Sequence, residues 1–385
     1  MEPTELIKII GREEDGRNQF KANINNENAL AAEMVAFSNA SGGRIFIGIT
    51  NDGNIAGLTR ADLGRLNTLV SNTASQSVRP PINPQTENVE MPDGLVMVVT
   101  IHPGISKPYM DNSGAIWVKS GADKRKVTSR EEIQRMFQSS GLIHGDQIPA
   151  NGLTVADLDL DYFREFFRKQ YEEELEAQEL PLPTILENMN LMNNGILNVA
   201  GALLFTKTPQ LRLPVFIVKC VSYPGNNIHS SEYRDSEDIA GSLKDVFTRV
   251  MSFITRNIGR LQNGRNVNSL GELEIPKVTL EELVVNALIH RDYFVSAPIR
   301  IFLFDDRIEI ISPGHLPNNL TVENIKSGNS NIRNPILTSF ATKILPYRGL
   351  GNGIRRALKE YPNIDFEDER NANLFKVTIH RSINK

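Results

Sequence analysis

Glu282 and Asn286 stand four residues apart in the apolar stretch LEELVVNALIH, so one helix face would carry both. Polar groups buried on such a face must find partners. An Asn amide oxygen holding Mg²⁺ and a Glu carboxylate polarising a water would supply them. A helix edge open to solvent would do so too. Ser312-Pro313-Gly314 follows a strand-like run, as a plain turn or as one that brings backbone close to a ligand. Gly349, Gly351 and Gly353 alternate just before a helical run to Tyr361. Glycines let the backbone approach phosphate, and a helix N-terminus offers it unpaired N–H groups. His290 and Arg291 would either face that phosphate or cap their helix and favour its dipole.

A second group lies nearer the start. Lys119, Lys124, Arg125, Lys126 and Arg130 meet only Asp123 before the acidic pair Glu131-Glu132, and Trp117 stands beside them. A basic strand edge next to an aromatic ring can track phosphates. The same lysines would equally guard a solvated edge strand against aggregation.

Several elements must position these groups. Apolar spacing predicts a helix over Asn28–Asn39, stopped by Ser41-Gly42-Gly43 and followed by a strand over Arg44–Ile49. The Asn51-Asp52-Gly53 turn would return the chain as a hairpin strand from Ile55. Leu95–Ile101 and Ala115–Lys119 read as strands, and Arg130–Phe137 as a closing helix. Further on, a charged helix is expected over Leu158–Glu176, broken at Pro181. Ala200–Phe205 and Val215–Val221 read as apolar strands, and Asp238–Ile258 as one long helix. Then come a helix over Leu280–His290, a hairpin of Ile299–Phe304 with Arg307–Ile311, and a loop from Ser312 to Asn334. A closing strand is expected over Leu374–Ile379. Strands interleaved with helices in this irregular order give an α+β fold. The expected segments are an N-terminal domain over 1–140, a middle connecting region over 150–275 and a C-terminal module over 276–385.

Composition bounds the function. At 385 residues two or three domains are expected. A net charge of −4 excludes a globally basic polyanion binder, so any nucleic-acid surface must be a local patch. One cysteine, Cys220, cannot form an internal disulfide, which points to a reducing cytoplasm. The absence of an apolar run near 18 residues points away from the membrane and to a soluble protein.

In order and spacing, Glu282-x-x-x-Asn286, Ser312-Pro-Gly314 and Gly349-x-Gly351-x-Gly353 resemble the N box and two glycine boxes of the Bergerat (GHKL) ATP-binding fold. The longer string of Asn286–Tyr293, Ser312–Pro317, Asn334-Pro335 and Gly349–Ile354 is similar to the RecG-like ATPase-type module of bacterial transcriptional regulators. The resemblance implies ATP and Mg²⁺ as ligands, with Glu282 polarising the attacking water and Asn286 holding the metal. It implies nucleotide contacts at His290, Arg291, Ser312, Gly314, Asn334, Gly349, Gly351 and Gly353, with the loop Asn318–Asn334 as a lid. Ser312 stands where those ATPases carry the Asp that reads adenine.

Asn18–Lys21, Ala36–Gly43, Ile47–Gly57, Lys107–Tyr109 and Trp117–Gly121 resemble the Schlafen AlbA-type domain. That implies nucleic-acid contacts at Lys21, Lys107, Trp117, Lys119, Lys124, Arg125 and Lys126. Some Schlafens cut RNA with a Glu, Glu, Asp cluster that holds a divalent metal on the scissile phosphate. The matching positions are Glu14, Gln19 and Asp52, with Gln19 where the second Glu is usual. Together the resemblances imply a cytoplasmic regulatory or defence protein, tending to form a dimer or higher oligomer, whose nucleotide site controls its nucleic-acid domain. A metal-dependent nuclease using Glu14 and Asp52, or a non-catalytic scaffold, would be the alternative.

Overall fold

The computed structural model describes residues 1–228, 232–261, 271–317 and 320–381. They form two compact units, Met1–Leu142 and Ile143–Lys385. The fold is α+β in both.

The first unit contains α1 (Pro3–Ile10), β1 (Asn18–Lys21), α2 (Glu27–Asn39), β2 (Gly43–Ile47), α3 (Arg60–Asn72), β3 (Gln85–Met91), β4 (Gly94–Ile101), β5 (Trp117–Ser120), β6 (Asp123–Lys126) and α4 (Arg130–Ser139). Four strands make one mixed sheet in the order β1-β2-β4-β3, with β1 and β2 parallel and the other pairs antiparallel. Both faces are covered. Ile45, Ile47, Met97 and Val99 pack with Leu30 and Phe37 of α2, whereas Phe46, Val96 and Val98 pack with Leu6 of α1 and Phe20. Side chains alternate between faces along a strand, so a strand apolar at every position needs cover on both sides. β5 and β6 form a separate antiparallel hairpin. The expected return strand from Ile55 reduces to a single bridge, Ile49 with Ile55.

The second unit contains α5 (Leu160–Tyr171), α6 (Leu182–Asn188), α7 (Val199–Phe205), β7 (Val218–Ser222), β8 (Asp235–Ile239), α8 (Leu243–Asn257), α9 (Lys277–His290), β9 (Ile299–Leu303), β10 (Arg307–Pro313), α10 (Val322–Lys326), α11 (Pro335–Ile344), α12 (Gly353–Glu360), β11 (Ile364–Glu369) and β12 (Leu374–His380). Its six-stranded sheet runs β8-β7-β9-β10-β12-β11, parallel only between β7 and β9. A single hydrophobic cluster reaches from Ala150 to Ile379. The segment read as a connecting region over 150–275 therefore shares its sheet and core with the C-terminal module.

Four expected elements differ. Ala200–Phe205 is helical, because Asn198 accepts the Gly201 N–H at 2.8 Å and starts α7, all of whose residues are buried. A continuous apolar run does not tell strand from buried helix. The long helix expected from Asp238 starts only at Leu243, where Ser242 accepts the Asp245 N–H at 3.3 Å; the residues before it pair as β8. The charged helix ends at Tyr171, where Glu172 turns left-handed at φ 59°. The loop from Ser312 to Asn334 holds α10, capped by Thr321.

Candidate nucleotide cavity and polar cluster

α9 packs against both β10 and α12, and described residues of the chain between those two elements line the space beside it. The result is a cavity open to solvent. It is lined by Glu282, Asn286 and His290 of α9, by Ser312 and Gly314 at the end of β10, and by the Gly349–Gly353 segment. Three arginines also line it, Arg333, Arg348 and Arg356, against one carboxylate, Glu282, among the described residues.

Glu282 is buried and ion-paired with the Arg356 guanidinium. Its Oε1 also accepts the Asn286 amide at 3.2 Å. A Cβ on Gly353 would lie 1.6 Å from that oxygen, so the first residue of α12 has to be glycine for Glu282 to sit where it does. In this arrangement the carboxylate expected to polarise water is held by Arg356. The Asn286 donor is used on Glu282, which leaves its oxygen to the cavity. An amide oxygen together with ligand phosphates is a donor set that Mg²⁺ accepts.

The Ser312 hydroxyl donates to the Ala287 carbonyl at 3.3 Å. His290 is held neutral: burial, reinforced by Arg333, pushes its pKa down to about 4. Two expected ligand contacts lie elsewhere. Arg291 is buried, donates to the Val295 and Ala297 carbonyls at 2.9 and 2.8 Å, and lies over the Phe216 and Tyr293 rings. Its backbone leaves the helical region at φ −56°, ψ 153°, which turns it from the face that His290 shares with Asn286. Asn334 is fully buried and donates to the Ile289 and Arg291 carbonyls, both at 2.8 Å, so it satisfies the end of α9. The expected lid over Asn318–Asn334 begins outside the described residues. Asn329, Ser330 and Asn331 within it line the cavity.

In the first unit the polar groups run in one chain of contacts. Glu14 accepts the Gln19 amide at 2.8 Å and the Phe20 N–H at 2.6 Å. Gln19 accepts the Lys119 ammonium at 2.8 Å, which lies 3.8 Å from Glu33 and 4.8 Å from the Phe37 ring centre. Lys124 reaches the other Glu33 oxygen at 2.7 Å. Burial pushes the Lys119 pKa down, opposed by Glu33. Asp52 lies exposed in the Thr50–Gly53 turn. No group of three His, Cys, Asp or Glu able to hold a metal occurs among the described residues. With an ammonium on Gln19 and a neutral amide on Glu14, the residues here do not fit a divalent ion.

Residues 14–128 match the family model described as Schlafen, AlbA_2, and residues 296–379 match that described as "Putative ATP-dependent DNA helicase recG C-terminal". Each of the two units thus contains a segment similar to one of these domain families. No curated protein matches it. Among solved structures it is similar to the DIP2311 protein from Corynebacterium diphtheriae, at 19% identity over 98% of this chain and 80% of that one, with a TM-score of 0.45. It is also similar to the N-terminal domain of a "Putative ATP-dependent DNA Helicase RecG-related Protein" from Nitrosomonas europaea, at 17% identity over 34% of this chain and 96% of that one, with a TM-score of 0.25.

The basic residues of the AlbA_2 domain are largely engaged within it. Arg125 forms a two-pronged pair with Glu132 at 3.0 and 2.6 Å. Lys107 donates to the Ala40 carbonyl at 2.8 Å. The Trp117 indole donates to Asp111 at 2.7 Å, and its ring packs on the α2 core. Lys126 is exposed and Lys21 half-buried, and neither forms an ion pair among the described residues. On the recG side, the expected contacts omit Arg348, which directly precedes Gly349, and also Arg333 and Arg356. The last two also had a signal: Arg333 directly precedes Asn334-Pro335, and Arg356 lies three residues beyond Gly353.

Proposed function

We propose that the recG C-terminal end of the chain binds a purine nucleoside triphosphate with Mg²⁺, ATP being the one its family description names. One observation carries this reading. The cavity opposes three arginines to a single carboxylate that Arg356 already neutralises, beside a glycine-rich helix start, so its unmet need is for a polyanion. Asn286 offers its amide oxygen to the metal, Gly349 and Gly351 admit phosphate, and Arg348 and Arg356 balance its charge. When bound beside the Asn286 amide oxygen, Mg²⁺ would supply positive charge to offset that of the phosphates. Hydrolysis then requires the Glu282–Arg356 pair to open, because a paired carboxylate does not take a proton from water. The AlbA_2 domain associates with nucleic acid, and occupancy of the cavity controls that association in a cytoplasmic, oligomeric regulatory protein. The ammonium in the Gln19–Glu33 cluster speaks against the nuclease alternative.

The test is a thermal-shift titration with Mg²⁺ and ATP or GTP on the wild type and on Asn286→Ala. Ligand at about 100 times its Kd adds about 2.7 kcal/mol to the folded state. A raised midpoint in the wild type that Asn286→Ala loses is the expected result. No shift in the wild type with either ATP or GTP would end the proposal.

A further inference from the structure

The cavity has two unlike ends. From Glu282 to His290 is eight residues, or about 12 Å of helix. At the Glu282 end stand Arg356 and the glycine segment that opens α12, and Gly351 packs close to the Gly328 carbonyl and the Ser330 hydroxyl. That end takes phosphates. The rest of a nucleotide must extend towards His290, Ser312, Gly314 and Arg333, where no carboxylate lines the cavity among the described residues.

Arg333 is the chemical oddity there. It donates Nη2 to the His315 carbonyl at 2.6 Å and makes no ion pair among the described residues. The two carboxylates whose charge it feels, Asp292 and Asp368, are already engaged. Asp292 accepts the Phe294 N–H at 2.9 Å, while Asp368 accepts the Leu316 N–H at 2.7 Å and pairs with Arg370 at 2.9 Å. Gly314 adopts φ +98°, and a Cβ on it would lie 2.4 Å from Arg333 Nη1. Glycine is thus what lets the guanidinium come up under the end of β10. A guanidinium whose neighbouring carboxylates are engaged elsewhere is free to take a ligand acceptor.

We propose that Arg333 reads the base of the bound nucleotide by its acceptor edge, so that the cavity prefers a 6-oxo purine, as in GTP or ITP, to the adenine of ATP. This rests on the reading that the cavity holds a purine nucleoside triphosphate. O6 and N7 of guanine or hypoxanthine accept both prongs of a guanidinium. Adenine presents its exocyclic amine at the same place, donor against donor.

The test is calorimetric titration of the full chain, with Mg²⁺ present, by ATP, GTP, ITP and inorganic triphosphate. Wild type, Arg333→Ala and Arg333→Lys are compared, with melting curves to confirm folding. ITP carries O6 without the 2-amino group and so isolates the proposed contact. GTP and ITP are expected to bind about tenfold or more tighter than ATP. Arg333→Ala is expected to erase that preference while leaving ATP little changed, and Arg333→Lys, which keeps the charge without the fork, to erase it as well. Binding of ATP as tight as that of GTP and ITP would overturn the base assignment and leave the nucleotide reading standing. Equal weakening of all four ligands in Arg333→Ala would overturn it too, by making Arg333 a phosphate contact. Failure of every ligand to bind would overturn both.

Discussion

Gly353 and Glu282 occupy one another's space, since a Cβ on the glycine would lie 1.6 Å from a carboxylate oxygen that Arg356 and Asn286 hold in place. Gly353→Ala is therefore expected to cost about 1–3 kcal/mol, the range for forcing an extra carbon into a packed site. A denaturant titration would check it. His290 gives a pH dependence whose sign follows from its lowered pKa. Between about 6.5 and 4 the unfolded chain takes up a proton that the half-buried imidazole refuses, so stability falls as pH drops through that window. Above it the group is neutral in both states and adds nothing. Melting temperatures measured from pH 7 to 4.5 are expected to fall less steeply in His290→Asn. At this scale the spacing of Glu282 with Asn286 and of the three glycines corresponds to residues that line one cavity. The sequence misled at Arg291 and Asn334, which adjoin cavity residues in sequence while the backbone aims them at the end of α9.

Elements were legible where period and punctuation agreed. Apolar spacing and the Ser41-Gly42-Gly43 stop predict a helix over Asn28–Asn39, and α2 starts one residue earlier, where Asn26 caps it. α7 was not legible, because a seven-residue buried run carries no polar face to reveal its period. α11 escaped notice for a different reason. Its first N–H groups are capped from far along the chain, by Asp146 at 2.8 Å to Ile336 and 3.0 Å to Leu337. α3 offers a clean test of local energetics. Gly64 lies inside it with nothing within 4 Å of where a Cβ would stand. Gly64→Ala is expected to stabilise the AlbA_2 domain by about 0.5–1 kcal/mol, seen as a higher denaturation midpoint with unchanged slope.

Over the whole molecule, the sequence placed chemistry at both ends and read nothing between. Residues 150–275 carry no motif because their contribution is to the sheet and core beneath the cavity: β7 and β8 extend the strands that β10 belongs to, and α8 packs on α9. Such support follows hydrophobic pattern, and pattern alone does not say which sheet a strand will join. In the AlbA_2 domain, Glu14, Gln19 and Glu33 are drawn together around Lys119, which removes the need for a metal. Incubation of RNA or DNA with the protein and Mg²⁺ or Mn²⁺ is therefore expected to show no cleavage that Asp52→Ala abolishes. The claim that ties the molecule together is that a nucleotide lies between α9 and the glycine segment. Photocrosslinking with an 8-azido purine triphosphate, followed by mapping of the labelled peptide, tests it most directly. The account predicts Mg²⁺-dependent label, displaced by unlabelled nucleotide, on the peptides that hold His290, Ser312–Gly314 or Arg333. Displaceable label confined to residues 1–142, or no displaceable label at all, would contradict it.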